Sequence, residues 1–282
     1  MLKILQNIDR RMLYFLMLLA VTVPFFLSIP LPVTPSPQTR ALFDKVDSLP
    51  EDSFALFGIE WTASTRGENE AQTESLMRHL MKKRVRFAIL AFGDPQSEVN
   101  GQKMAERLEK EYSYVEGVNW VNWGYHPSGA QENTLKAMVQ DVVSTMKTDV
   151  HKKSLADLPV MHGIKTGKDF ALVLDVTPSN VYLPYIQFVQ GPSQVPLGIA
   201  VTSVMAPEIY NYIDSKQVIG MIGGLQGGTE YETLLKIPGK ATRASLSSSF
   251  AHILIIGLIV VGNIAMLMEK RKKRIFAGGQ TR

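Results

Sequence analysis

The chain has 282 residues, 45% of them hydrophobic and 20% charged, with a formal net charge of +4 and no cysteine. Without cysteine there are no disulfides, no Cys-ligated zinc, no iron–sulfur cluster and no thiol catalysis. A chain of this length buries an adequate core without covalent staples.

Residues 1–11 form a short tail in which Lys3, Arg10 and Arg11 outweigh Asp9. Residues 12–29 carry no charge and are rich in Leu, Phe, Met and Val. As a helix they extend about 27 Å, close to the hydrocarbon thickness of a bilayer. They read as a first membrane span and a retained signal-anchor, because no small-x-small cleavage pattern follows and no cysteine is present for a lipid anchor. Pro24 interrupts the hydrogen bonding of that helix and is expected to kink it. Over residues 30–41, Pro30, Pro32, Pro35 and Pro37 read as a stiff, extended strut.

Residues 42–244 alternate apolar runs with amphipathic ones. Strands are expected at 54–61, 86–92, 118–123, 170–176, 197–201 and 218–222. Helices are expected at 68–84, 101–112, 130–147, 181–189, 205–213 and 229–235, with a loop around 154–168. Strands that are apolar throughout, alternating with helices, predict an α/β domain: a mostly parallel sheet sandwiched by helices, a Rossmann-like three-layer arrangement between two transmembrane helices.

Residues 250–268 are again uncharged and long enough to span a membrane. In that stretch Asn263 sits near Gly257 and Gly262, a pattern that favours close association with another helix. The tail 269–282 carries Lys270, Arg271, Lys272, Lys273, Arg274 and Arg282 against Glu269. Net charges of +2 and +5 on the two tails leave −3 for the stretch between them. Lys and Arg beside a span stay cytoplasmic, so both termini are expected inside and the domain outside. The basic excess belongs to the tails, where it suits anionic lipid headgroups; it is no sign of nucleic-acid binding.

Ligands of open α/β sheets bind beyond the carboxyl ends of the strands. The polar residues expected there are Glu60, Thr62, Asp94, Tyr125, His126, Asp175 and Thr177. They read either as the rim of a ligand site or as turns and helix caps. His126 with Glu60, Asp94 and Asp175 is the one conceivable carboxylate–imidazole set. No histidine spacing calls for a metal, and no motif calls for a cofactor. Gly220, Gly223, Gly224, Gly227 and Gly228 crowd what reads as a loop between a strand and a short helix. Such a loop suits an anion or a close approach of backbone.

No nucleophile elbow, Ser-x-x-Lys or His-Glu-x-x-His pattern occurs. The first reading is therefore a non-enzymatic subunit of a membrane complex, partnered by the bilayer and by itself or other subunits. The second is a tethered ligand-binding or transporter-auxiliary protein. In general form the chain resembles the auxiliary proteins of gliding-type ABC transporters, a likeness of architecture. An extracytoplasmic hydrolase or transferase using the Glu60, Asp94, His126 and Asp175 rim is the third.

Overall fold

The computed structural model describes residues 9–27, 29 and 31–278. Of the two expected tails, residues 1–8 and 279–282 lie outside the described residues, as do Ser28 and Pro30. The chain divides into two units, one made of Met1–Leu31 with Thr242–Arg282, the other of Pro32–Ala241.

The first unit opens with helix α1, Arg10–Phe25, capped by Asp9 accepting from the Arg11 N–H at 2.9 Å. Its 16 residues fall short of the ~20 that a bilayer crossing takes. Its apolar side chains face outward all the same: Tyr14, Phe15 and Leu18 are more than half exposed.

The second unit begins with a difference from expectation. Residues 37–41, placed in an extended strut, open helix α2, Pro37–Asp47. Proline is compatible with the first helical turn because its missing N–H has no partner to lose there. Ser36 caps the helix, and Leu42 and Val46, one turn apart, face the core. The strands then follow as β1 Phe54–Ile59, β2 Arg86–Ala91, β3 Trp120–Tyr125, β4 Leu172–Thr177, β5 Leu197–Val201 and β6 Gly220–Gly223. Between them lie α3 Arg66–Lys82, α4 Pro95–Tyr112, α5 Gln131–Gln140, α6 Val142–Met146, α7 Tyr182–Tyr185, a π-helical turn Ile186–Gln190 and α8 Ala206–Asp214, and α9 Gly224–Leu235 follows β6.

The six strands form one parallel sheet in the order β3-β2-β1-β4-β5-β6. The chain winds outward from β1 to β3, returns to β4 beside β1, and winds outward again. The topological switch therefore lies between β1 and β4. Alternate residues serve opposite layers. Ala55, Phe57, Leu172 and Leu174 pack with the residues of α2, α3, α4 and α9. Leu56, Leu90, Val173 and Ile199 pack with those of α5, α6, the Tyr182–Gln190 segment and α8.

Three local details depart from the sequence reading. The single helix expected over 130–147 breaks at Asp141, whose extended backbone ends α5 while its side chain caps α6 through the Ser144 N–H. The strand expected at 118–123 lies two residues later, leaving Val118 exposed. The glycine-rich stretch is not a loop: Gly220 and Gly223 are in β6, and Gly224, Gly227 and Gly228 are in the first turns of α9. A Cβ on Gly220 would stand 2.5 Å from the Gln38 carbonyl oxygen and 2.6 Å from the Leu42 nitrogen. The absent side chain is what lets α2 lie on β6.

The remaining helix, α10, spans Lys240–Gly278, and its stretch Lys240–Met268 is long and apolar enough to cross a membrane. Ile253, Ile256 and Leu267 are each at least 60% exposed.

Replacing Gly220 by alanine should push α2 off the sheet, because backbone on both sides cannot yield. We expect a loss of about 1–3 kcal/mol, or about 2–4 °C of melting temperature per kcal/mol, measured by thermal unfolding of the detergent-solubilised chain.

Candidate functional site at the switch point

Gly58 of β1 and Asp175 of β4 are register partners across the switch point, with side-chain positions on the same face. Glu60 lies one residue past β1 on that face, its N–H bonded to the Val176 carbonyl at 2.9 Å. Tyr185, the last residue of α7, covers the pair from the helix layer. A Cβ built on Gly58 would meet Asp175 Oδ1 at 2.7 Å and the Tyr185 hydroxyl at 2.9 Å. The lack of a side chain at 58 is what gives the carboxyl and the phenol room. Glu60 is 2% exposed, and Asp175 and Tyr185 are fully buried.

The partners are unequal. Glu60 Oε2 accepts from the Phe92 N–H at 2.7 Å and the Gly93 N–H at 2.5 Å. Both Asp175 oxygens have no hydrogen-bond partner, and the Tyr185 hydroxyl interacts with the Glu60 carboxyl. Burial, and next the charge of Asp175, push the Glu60 carboxyl well above its usual range. Burial pushes Asp175 up to about 8. Burial, followed by the two carboxylates, drives the Tyr185 phenol upward as well. Asp175 therefore keeps its proton at neutral pH.

Of the other expected site residues, Thr177 shares the face of β4 with Asp175, and His126 stands beyond Phe92. Its ring lies 6.0 Å from that of Phe92, which lies 6.2 Å from that of Tyr185, so one aromatic ring stands between imidazole and phenol. Burial pushes the His126 imidazole down. Tyr125 is half-buried at the end of β3. Asp94 caps α4, accepting from the Gln96 N–H at 2.7 Å. Thr62 bonds Ser64 at 2.8 Å, and Thr177 closes the turn after β4 through the Ser179 backbone. Glu60, Asp94, His126 and Asp175 thus do not form a common set, and among the described residues no three His, Asp or Glu side chains are arranged to hold a metal. The glycines of β6 and α9 meet other elements. A Cβ on Gly228 would stand 3.0 Å from that of Ala241, and one on Gly227 3.2 Å from the Ile222 backbone.

Sequence reasoning missed Tyr185 and Gly58. Tyr185 lies in a run whose signature is only helical. The π-helical turn that follows it has no sequence signature, although such turns concentrate at functional sites. A separate cavity of about 150 Å³ lies at the far end of the sheet, lined by Ser36, Thr39, Tyr210, Gln226 and Glu230 among others. Glu230 there is already engaged, accepting from Ser36 N–H at 3.0 Å and Ser36 hydroxyl at 2.7 Å.

No family model matches the chain, and no curated protein does. Among solved structures, a trehalose-6-phosphate synthase is similar with a TM-score of 0.35 at 10% identity, over 86% of this chain and 47% of that one. The chain spans about half the length of that structure. A likeness of that degree carries no functional information.

Two buried groups give the domain a pH signature. His79, 1% exposed, bonds Tyr231 at 2.7 Å, and burial depresses its imidazole to about 4. Below about pH 6.5 the unfolded chain binds a proton that native His79 refuses, so this group costs stability as pH falls toward 4. The acid pair works oppositely: the native state keeps a proton that the unfolded chain has lost, so stability falls as pH rises from 3.8 to about 8. The slopes oppose each other between about 4 and 6.5, and only the acid slope remains above. We expect melting temperature to fall more steeply above about pH 6.5 than below it, with a loss of about 2 kcal/mol from Asp175 alone between pH 6.5 and 8. A double variant Glu60→Gln with Asp175→Asn should lose that alkaline fall and expose the His79 slope below about pH 6.5.

Proposed function

We propose that the chain is a non-enzymatic, membrane-anchored subunit that presents its α/β domain outside the cytoplasm for assembly with other proteins. The observation that carries this reading is the outward apolar surface of α10 from Phe250 to Met268, a length of helix that only lipid or another apolar helix covers. The uncharged stretch at 12–29 supports a second anchor, and the basic tails support a cytoplasmic placement of both ends. A catalytic reading has less support, since a general acid or base has to reach its substrate and Glu60 and Asp175 are sealed. The 150 Å³ cavity favours, as a second reading, a tethered binder of a small polar ligand. It is below the ~300 Å³ at which sites for drug-sized molecules begin.

Because the chain has no cysteine, single introduced cysteines report topology against a silent background. Lys103→Cys, on the exposed surface of α4, should react with a membrane-impermeant maleimide in intact cells, and Gln280→Cys only after lysis. Reaction in the reverse order overturns the orientation, and recovery of the chain in the soluble fraction overturns the anchor. Native mass measurement in detergent should give a complex larger than the chain. A bare monomer would leave the ligand-binding reading standing.

A further inference from the structure

Asp175 differs from the other buried carboxylates of the domain in what answers its charge. Glu74 lies 3.0 Å from Arg78 and 2.9 Å from Arg107. Glu230 accepts from Ser36, Glu232 from the N–H groups of Gly239 and Ala241, and Asp149 from the Lys153 N–H. Both oxygens of Asp175 have nothing, and beside them the Tyr185 hydroxyl interacts with the Glu60 carboxyl. Buried polar atoms left without partners are uncommon, and a fully buried carboxylate with both oxygens bare, beside a second carboxyl and a phenol, points to a missing ligand.

We propose that Glu60, Asp175 and Tyr185 enclose a site for one small monovalent cation of the sodium class. All the free atoms are oxygens, the donor set of hard cations, with no imidazole or sulfur to favour a transition metal. Their number argues against a divalent ion: calcium takes about six to eight oxygens, and magnesium keeps several waters, for which a sealed cluster has no room. The formal charge fits as well. One cation between two carboxylates leaves a single negative charge, and the Phe92 and Gly93 N–H groups on Glu60 Oε2 are placed to hold it. Gly58, lacking a Cβ, lets the Asp175 carboxyl and the Tyr185 hydroxyl lie against β1. The site belongs to the α/β domain and does not depend on the membrane reading.

The test is thermal unfolding of the full-length, detergent-solubilised chain near pH 8.5, where protons compete least, at equal ionic strength in sodium, calcium or choline chloride. Sodium should raise the melting temperature by several degrees over choline in a saturable way, and calcium should not. Asp175→Asn should erase the difference. Tyr185→Phe, which keeps the ring packing, should raise the sodium needed for half the effect by about tenfold. Equal melting in sodium and choline overturns the proposal, as does a sodium effect that survives both substitutions. Stabilisation by calcium alone overturns the monovalent assignment.

Discussion

A parallel sheet covered on both faces leaves a polar side chain on a central strand nowhere to go but into the core. Most of this sheet obeys that constraint with Leu, Ile, Val, Ala and Phe, and the domain follows from it: two helix layers and a switch between β1 and β4, with Asn122 of edge strand β3 answered by Glu98 and Gln102. Asp175 breaks the rule inside β4, fully buried and beside the switch. An isolated ionised carboxylate in such a place is costly enough that it keeps a proton or acquires a partner. Gly58 across the strand pair and Tyr185 above it are the local adjustments that make room, which is why three positions far apart in sequence act as one feature.

A second constraint governs the two ends of the same domain. Helix α9 carries Glu230 and Glu232, both buried. Glu230 receives Ser36, the residue that caps α2, and Glu232 receives the backbone of Gly239 and Ala241 where α10 begins. The chain's entry into the domain and its exit are thus held by neighbouring carboxylates of one helix. Lys240 adds ion pairs to Glu70 at 2.8 Å and Glu74 at 3.5 Å, bringing α3 into the same anchorage. Exposed ion pairs contribute little singly, but the backbone bonds to Glu232 are buried and cannot be exchanged freely for water.

Strand positions were legible because a strand buried on both faces is apolar at every residue, and few other elements of six residues are. The run 197–201 coincides with β5. Helix α2 is not legible for a specific reason: the prolines at 30, 32 and 35 suggest extended chain, and Pro37 reads as one of them although its place after Ser36 is that of a first-turn proline. The break at Asp141 was hidden because the apolar positions of α5 and α6 keep a helical rhythm across it. At the site, Glu60 and Asp175 were legible as strand-end carboxylates, since β1 and β4 were recognisable. Their company was not: Thr62, Asp94 and Thr177 have the same signature and serve turns and caps, while Tyr185 arrives from a helix whose packing angle no local pattern encodes.

That division between the legible and the hidden bears on what the site does. A residue read from the end of a strand is expected to face solvent, and an acid there invites a catalytic role. The structure instead lowers an aromatic lid over the acids, with Phe92 and His126 extending the lid toward β3. A catalytic carboxyl gains from burial only when substrate can still reach it; one shut under a tyrosine gains nothing and costs stability as pH rises. The two unusual carboxyls are therefore better understood as holding something inside the domain than as acting on something outside it.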